Sequence, residues 1–326
     1  MAQRPIRRAE AELEHSSTEQ VLESARHLDR LSVEEMLGLI HREDGEAWKA
    51  VGEQLPRVAE AVELLAAAVG RGGRWFNVGA GTSGRLGVLD ASEIPPTFGM
   101  PQVAVQGVIA GGELALRSAI EGAEDDGAAA RRELAGRGLS ADDAVVAISA
   151  SGVTPFALGG LDAAREVGAR SVAITCVAGS ALAERADVAI VPATGPEVVM
   201  GSTRMKAGLA QKMVLHMLST AVMVKLGRVE GNLMTRIAPV SAKLRGRSLR
   251  ILMTLSGLCP EEGRALLDAH DGQLSAALAE VRARQAGEVD DEGLSSKTSV
   301  FFAILGAAAS RGERACGRAR ALSNVV

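Results

Sequence analysis

The sequence predicts an α/β fold in which a parallel sheet is flanked by helices. Short apolar runs recur along the middle of the chain, stretches with helical spacing separate them, and the runs contain few polar residues. Strands that alternate with helices favour a parallel sheet, and nearly continuous apolar runs are typical of strands buried on both faces. The predicted strands are Trp75 to Val78, Val103 to Ile109, Ala144 to Ile148, Ser171 to Cys176 and Val188 to Val191.

Helical spacing of apolar residues predicts most of the remaining elements. Two or three helices are expected between Thr18 and Gly70, and the pattern is again helical from Ser241 onward. The helices expected between and after the strands cover 112–122, 155–166, 180–185 and 203–226. The sheet is therefore expected to have helices before it, between its strands and after it.

Composition and charge exclude several classes of function. Of the 326 residues, 47% are hydrophobic, which favours a globular protein over a disordered one. The formal net charge is -4 and aromatic residues make up only 2%, so we expect no nucleic acid partner.

The sequence also bears on the cellular context. It has no signal peptide and no apolar run of the roughly 18 residues that a membrane span needs, so we expect no membrane partner and a cytoplasmic location. The cysteines Cys176, Cys259 and Cys316 are odd in number and far apart, which suits a reducing compartment. No Cys/His cluster has metal-ligand spacing, so no metal is expected.

A loop rich in glycine and hydroxyl residues follows the first predicted strand. Residues 79–84 read Gly-Ala-Gly-Thr-Ser-Gly, and a helical pattern begins directly afterwards. Glycines let backbone N–H groups approach a ligand, and the positive end of the new helix favours an anion. Gly81, Thr82 and Ser83 are therefore candidate phosphate-binding residues. A glycine turn that only joins a strand to a helix is the alternative.

Two familiar phosphate motifs do not fit this loop. A dinucleotide fingerprint would need an acidic residue about 20 positions later, at the end of a second strand, and none is clear here. The nucleotide P-loop needs Gly-Lys-Ser/Thr at its end, which is absent.

A second polar loop follows the third predicted strand. It reads Ser149-Ala150-Ser151-Gly152-Val153-Thr154 and leads into a helix that begins with proline. Taken alone, such a loop is more often a simple helix cap. Because loops at the carboxyl ends of parallel strands gather at one edge of the sheet, we expect Ser149, Ser151 and Thr154 to lie beside the first loop.

Three charged residues are further candidates. Glu93 precedes Pro95 and Pro96, which are expected to end the helix that follows the first loop. Glu124 lies in an acidic segment after the second strand, where an ordinary surface carboxylate is the alternative. Lys206 lies near the start of the long helix and could reach a bound phosphate. Cations are disfavoured at that end of a helix, so its presence there favours a functional role.

Two long segments resemble the N-acetylmuramic acid 6-phosphate etherases of the sugar isomerase (SIS) superfamily. The first reads G-A-G-T-S-G-R-L-G-V-L-D-A-S-E-I-P-P-T-F-G, and the second runs from Gly195 to Leu215 and continues to G-N-L-M at Gly231 to Met234. The chain also departs from that family. Val153 stands where the etherases commonly have Arg, and their N-terminal Asn-Pro element is missing.

The resemblance implies a fold, a reaction and a set of site residues. It implies a SIS-type parallel sheet in which Gly81, Thr82, Ser83, Ser149, Ser151, Thr154 and Lys206 bind the sugar phosphate. It further implies cleavage of the D-lactyl ether of N-acetylmuramic acid 6-phosphate, with Glu93 and Glu124 as catalytic residues and no cofactor. SIS domains usually pair, so a homodimer is expected.

Two other functions on the same fold remain open. A non-catalytic sugar-phosphate sensor, as in the glucokinase regulatory protein, would bind the ligand without turning it over. An aldose-ketose phosphate isomerase would form a ketose phosphate without releasing lactate. The Val153 departure and the altered N-terminal element favour the sensor, whereas the retained pair of glutamates favours the etherase.

The resemblance also suggests a division of the chain into four parts. Residues 1–17 are expected to be a flexible N-terminus, and 18–235 the SIS domain with its N-terminal helices. A small C-terminal helical region is expected at 236–285, followed by a tail of unknown role at 286–326.

Overall fold

The computed structural model of the protein describes residues 16–237, 239 and 241–285. The described chain separates into two compact units. The first comprises the residues up to 94 together with 100–226, and the second comprises 95–99 and the residues from 227 onward. The expectations for the tail at 286–326 and for all but the last two residues of the segment 1–17 lie outside the described residues.

Helices and strands alternate through the first unit, after three short 3-10 turns. In chain order up to residue 226, the elements are α1 (Val33–Glu53), α2 (Leu55–Gly70), β1 (Trp75–Gly79), α3 (Gly81–Phe98), β2 (Val105–Ile109), α4 (Gly127–Gly136), β3 (Ala144–Ile148), α5 (Pro155–Val167), β4 (Arg170–Ile174), α6 (Ala181–Arg185), β5 (Val188–Ile190) and α7 (Lys206–Lys225).

The five strands form one parallel sheet in the order β2-β1-β3-β4-β5. All five predicted strands are confirmed, with ends that differ by at most two residues. Strand β1 is an interior strand, because Gly79 at its end pairs with Ile109 of β2 on one side and with Ile148 of β3 on the other. The carboxyl ends of β1, β2 and β3 therefore lie level with one another.

Helices cover both faces of the sheet. On one face, Phe76 and Val78 of β1 pack in a buried cluster with side chains of α4 and α5, such as Leu134 and Phe156. On the other face, the side chain of Asn77 donates a hydrogen bond to the Gly87 carbonyl of α3 at 3.0 Å. Burial on both faces accounts for the almost continuous apolar sequence of the strands.

Helix α3 runs back along the sheet, opposite in direction to the strands. Gly84, in its first turn, lies against the end of β1, where an added Cβ would be 2.6 Å from the Gly79 oxygen. Gly87, one turn later, lies against Asn77 in the middle of the same strand. Each further turn of α3 therefore moves away from the carboxyl edge of the sheet.

Helix α7 is a core helix of the first unit. By length and composition alone it could span a membrane, but more than half of it is buried within the protein. It packs against α1 and α2. Its apolar residues therefore pack in the core, as the sequence predicted.

The prediction of a helix at 112–122 is wrong. That segment contains a 3-10 turn at Gly112–Leu116, and the α-helix between β2 and β3 is α4, at Gly127–Gly136. Gly111, Gly112 and Gly122 all have positive φ, which an α-helix cannot accommodate. Helix α4 begins after Asp126, whose carboxylate accepts a hydrogen bond from the backbone N–H of Ala129.

The expected end of α3 before Pro95 is also wrong, because the helix continues through Pro95 and Pro96 to Phe98. Proline has a helical φ, and what it removes is the N–H bond to the carbonyl four residues earlier. The carbonyl of Ser92, four residues before Pro96, belongs to an exposed residue and can be hydrated. The N–H of Gly99 still bonds to the Pro95 carbonyl at 3.0 Å.

Among its described residues, the second unit is helical from Ser241 to Gln285, as predicted. Its helices are α8 (Ala242–Ser256), α9 (Pro260–Ala269) and α10 (Leu274–Gln285). They enclose a separate apolar core that includes Leu252 and Leu266.

A buried ion pair ties the start of β1 to the start of β3. The carboxylate of Asp143 is 2% exposed and accepts hydrogen bonds from the backbone and guanidinium N–H groups of Arg74 and from Ser140. Burial alone would raise the pKa of Asp143, but these hydrogen bonds outweigh it and hold the pKa below its usual range.

We expect Asp143→Asn to lower the free energy of unfolding by about 1.5–3 kcal/mol at neutral pH, because charge-assisted hydrogen bonds are lost. A lowered pKa in the folded state stabilises above the unfolded pKa, so the deficit should shrink as the pH falls below about 4. Urea unfolding across this pH range measures it. Asp142→Asn is the matched control, since Asp142 is exposed. Equal effects of the two substitutions would contradict the prediction.

Candidate phosphate-binding site

The two predicted polar loops meet at the point where the strand order of the sheet reverses. From β1 the chain passes to β2 on one side, and then crosses back to β3 on the other side. In open α/β sheets, ligands bind in the crevice at such a switch point, outside the carboxyl ends of the strands. The loops after β1 and β3 border this crevice and carry six of the nine predicted site residues.

The loop after β1 is held by close backbone contacts that only glycine allows. A Cβ on Gly79 would lie 2.9 Å from the Gly84 nitrogen and 3.0 Å from the Ile148 oxygen. Gly81, the first residue of α3, has a φ of 52° and is exposed. The loop therefore presents its backbone at the crevice.

Thr82 and Ser83 follow in the first turn of α3 and contact α7. A Cβ added to Gly208 of α7 would lie 3.4 Å from the methyl group of Thr82. Ser83 is buried, and its hydroxyl donates a hydrogen bond to Gln211 Oε1 at 2.9 Å. The hydroxyl pair is thus braced by a helix that lies more than 120 residues further along the chain.

The loop after β3 contains a cluster of hydroxyl groups. Ser149 Oγ lies 2.8 Å from Thr154 Oγ1 and 3.4 Å from Ser151 Oγ, and it accepts a hydrogen bond from the Gly152 N–H. Thr154 precedes α5, and its side chain forms no capping hydrogen bond with a described residue. The first-turn N–H groups of α5 therefore keep their capacity to bind an anion.

Helix α7 begins beside both loops, but its own positive end is already occupied. Ala207 packs with Ala150 of the second loop and with Cys176. The carboxylate of Glu197 accepts the backbone N–H groups of Lys206 and Ala207 at 3.1 and 2.9 Å. This cap sets the start of α7 at Lys206, three residues later than the sequence predicted. Anion binding is thereby left to the first turns of α3 and α5.

Glu197 is a buried carboxylate, 1% exposed. Burial raises its pKa, and the two backbone N–H donors at the helix start oppose that rise. Its carboxylate oxygens are hydrogen-bonded to the first N–H groups of α7, so Glu197 acts as the cap of that helix.

Lys206 has a partner that the sequence did not predict. Its side chain is buried, and its Nζ lies 2.5 Å from Glu43 Oε2 of α1. The ion pair ties the start of α7 to the N-terminal helices. Substrate binding by Lys206 stays a prediction.

Glu124 lies at the same edge of the sheet as the two loops. It is exposed in a 3-10 turn at Ala123–Asp125. Gly127, three residues later, packs on the first residue of α5, where an added Cβ would be 2.7 Å from the Pro155 oxygen. The segment that carries Glu124 therefore lies close to the start of α5, which borders the crevice.

Glu93 is not brought to the crevice of its own chain. It is exposed on α3, ten residues beyond Ser83, and an α-helix of that length rises about 15 Å. Because α3 runs back along the sheet, this distance leads away from the carboxyl edge. Neither Glu93 nor Glu124 forms a hydrogen bond or ion pair with a described residue.

Asp90 is an ionisable residue that the sequence analysis missed. It lies one turn before Glu93 and is 4% exposed. Its Oδ1 accepts a hydrogen bond from Ser219 and lies 3.8 Å from Lys212 Nζ, whereas its Oδ2 has no partner among the described residues. Burial raises the pKa of Asp90 to about 6, which Lys212 and Ser219 only partly oppose.

The described residues include no group of three or more His, Cys, Asp or Glu side chains arranged to hold a metal ion. The polar groups at the crevice are hydroxyls and backbone N–H groups, which suit an anion better than a cation. The arrangement can therefore bind a phosphate group.

Comparisons with known protein families agree with this fold. The SIS domain family matches residues 132–223, and the family described as the glucokinase regulatory protein N-terminal SIS domain matches residues 57–165. Among solved structures, a phosphoheptose isomerase from Francisella tularensis has a TM-score of 0.46 and 18% identity, over 59% of this chain and 98% of that chain.

Three relatives share the name N-acetylmuramic acid 6-phosphate etherase. The protein from Gloeobacter violaceus is 50% identical over 81% of this chain and 86% of its own length. The protein from Jannaschia sp. is 47% identical over 77% and 79%, and the protein from Geobacillus thermodenitrificans is 46% identical over 84% and 93%. The similarity therefore spans most of each chain.

We expect Asp90→Asn to change how stability depends on pH. A carboxyl whose folded pKa is raised to about 6 destabilises the fold progressively between about pH 4 and pH 6, and by about 3 kcal/mol above that range. The neutral side chain removes this cost, so the variant should gain relative to the parent as the pH rises. Thermal or urea unfolding at several pH values measures the difference, with Asp142→Asn as the exposed control. A difference between parent and variant that does not vary with pH would contradict it.

Proposed function

The chain belongs to the family of N-acetylmuramic acid 6-phosphate etherases, and we propose that it cleaves the D-lactyl ether of N-acetylmuramic acid 6-phosphate. The products are N-acetylglucosamine 6-phosphate and D-lactate. The observation that carries the proposal is the anion-binding crevice between β1 and β3. There the first turns of two helices and two clusters of hydroxyl groups meet at the switch point.

The crevice holds the phosphate of the sugar. Backbone N–H groups at Gly81 and in the first turns of α3 and α5 donate to the phosphate oxygens, together with the hydroxyls of Thr82 and Ser83. The hydroxyls of the second loop, Ser149, Ser151 and Thr154, complete the shell. Lys206 adds a positive charge nearby, moderated by Glu43.

The reaction is an elimination followed by addition of water, which makes the protein a carbon-oxygen lyase of cell-wall amino sugar recycling. With the sugar ring open, the C1 aldehyde acidifies the C2 proton, and a carboxylate base removes it. The C3–O bond breaks as an acid protonates the departing lactate oxygen. Water then adds its oxygen at C3 and a proton returns to C2. The aldehyde of the substrate serves as the electron sink, so the chemistry needs no cofactor.

Two carboxylates carry the proton transfers. We assign Glu93 as the acid that protonates lactate and later activates the water, and Glu124 as the partner for the C2 proton. Each such step contributes roughly 10²- to 10⁴-fold to the rate. Both side chains are exposed and unpaired among the described residues, so they are available to a ligand.

A homodimer with shared sites fits the position of Glu93. This residue lies about 15 Å along α3 from Ser83, away from the crevice of its own chain. We therefore propose that Glu93 of one subunit reaches the crevice of the other. Glu124, whose segment lies close to the start of α5, acts within one subunit.

Lactate release from N-acetylmuramic acid 6-phosphate by the purified protein tests the proposed reaction. Glu93→Gln and Glu124→Gln should each lower kcat by about 10²- to 10⁴-fold, because each removes one proton-transfer group. Asp125→Asn, next to Glu124 and also exposed, is the matched control and should retain activity. Full turnover by Glu93→Gln would refute its role. Binding of the sugar phosphate without any lactate would instead favour a sensor.

Mixing two inactive variants tests the shared site. Glu93→Ala keeps its crevice, and a Ser149→Ala, Thr154→Ala variant keeps Glu93. Re-associated mixtures should recover roughly a quarter of the parent activity, because half of the dimers are mixed and each holds one complete site. If mixtures prepared under conditions that exchange subunits stay inactive, Glu93 does not act across an interface.

A further inference from the structure

Gln211 is a buried polar residue that the proposed mechanism leaves without a role. It lies on α7, is 0% exposed, and contacts the first turn of α3 through Ser83. Its amide nitrogen is buried and has no hydrogen-bond partner among the described residues. An unpaired buried N–H donor is costly, so its presence at the edge of the crevice calls for a physical reason.

The direction of the hydrogen bond between Ser83 and Gln211 decides what Ser83 can offer a ligand. A serine hydroxyl has one proton and two lone pairs. If Ser83 donates its proton to Gln211 Oε1, only lone pairs face the crevice. The oxygens of a phosphate are acceptors too, so that arrangement repels the ligand.

The opposite orientation of the same amide resolves both difficulties. A half-turn of the terminal amide exchanges its oxygen and nitrogen with almost no change in shape. The nitrogen then donates to Ser83 Oγ, across the same 2.9 Å, and gains the partner that it lacks. The Ser83 proton becomes free to donate to the phosphate. The amide oxygen is left unpaired, and buried carbonyl oxygens without a full set of partners are less rare in proteins than buried N–H groups without one.

We propose that Gln211 is a positioning residue for phosphate recognition: its amide nitrogen donates to Ser83 Oγ when the ligand is bound, and thereby directs the Ser83 proton to a phosphate oxygen. Gln211 itself does not touch the phosphate. The inference rests on the proposed function, since it concerns the same crevice.

The neighbouring contacts support this role. Gly208 lies one turn before Gln211 and packs on Thr82, so α7 presents both residues to the hydroxyl pair of α3. The start of α7 is held in turn by Glu197 and by the ion pair between Lys206 and Glu43. Gln211 is therefore set on a braced helix, which is what precise orientation of a hydroxyl requires.

Gln211→Met tests the proposal, because it keeps a similar volume and removes the amide. We expect the KM for N-acetylmuramic acid 6-phosphate and the Kd for inorganic phosphate to rise about 10- to 100-fold, with kcat nearly unchanged. In a Ser83→Ala background the same substitution should weaken phosphate binding no further. The control is Gln54→Met, since the side-chain oxygen of Gln54 also accepts a hydrogen bond, from the backbone N–H of Val191, but far from the loops in sequence.

Gln211→Glu gives a second readout that a purely structural role would not produce. Its carboxylate can only accept from Ser83, whereas the protonated carboxyl can donate. Phosphate affinity relative to the parent should therefore recover as the pH is lowered from about 8 to about 5.5, since burial raises the pKa of a carboxyl.

The outcomes separate this inference from the proposed function. Phosphate affinity within twofold of the parent in Gln211→Met, or additive effects with Ser83→Ala, would overturn the role of Gln211 alone. Failure of the parent protein to bind inorganic phosphate or the sugar phosphate would overturn the proposed function as well.

Discussion

The close approach of three backbone segments at the end of β1 is the constraint on which the rest of the site depends. Gly79 and Gly84 leave no room for a Cβ, because the added atom would lie within 3 Å of backbone on the neighbouring turn. This contact lets α3 start directly at the sheet and point its positive end into the crevice. Any side chain here would push α3 outward and separate the two polar loops.

Buried polar contacts between α3 and α7 then set the position of the hydroxyl groups. Ser83 meets Gln211 near the start of both helices, and Asp90 meets Ser219 two turns further along. Each contact leaves one polar atom, on Gln211 and on Asp90, without a partner in the part of the chain that the structure describes. Buried polar groups without partners lower stability, so two of them along one pair of helices point to a function that offsets this cost. At Gln211 the proposed reason is phosphate recognition.

The three helices that begin near the crevice differ in what occupies their positive ends. Helices α3 and α5 keep free first-turn N–H groups for an anion, whereas Glu197 occupies the start of α7. A carboxylate at that point also explains how Lys206 is tolerated in the first turn, where a cation is otherwise disfavoured. The charge of Lys206 is further balanced by Glu43.

Sequence by itself determined the five strands, the two polar loops and the family, because these depend on local features. Apolar runs mark buried strands, and Gly79, Gly81 and Gly84 mark a turn where backbone must come close. It failed at 112–122, where apolar spacing favoured a helix, although glycines with positive φ lie at both ends of that segment. Only the tertiary structure decided which residues meet across the chain. Gln211, Glu43 and Asp90 gain their roles from partners on other helices, and no local pattern specifies those contacts. The direction of α3, which carries Glu93 away from its own crevice, likewise follows from how a helix must return along a parallel sheet.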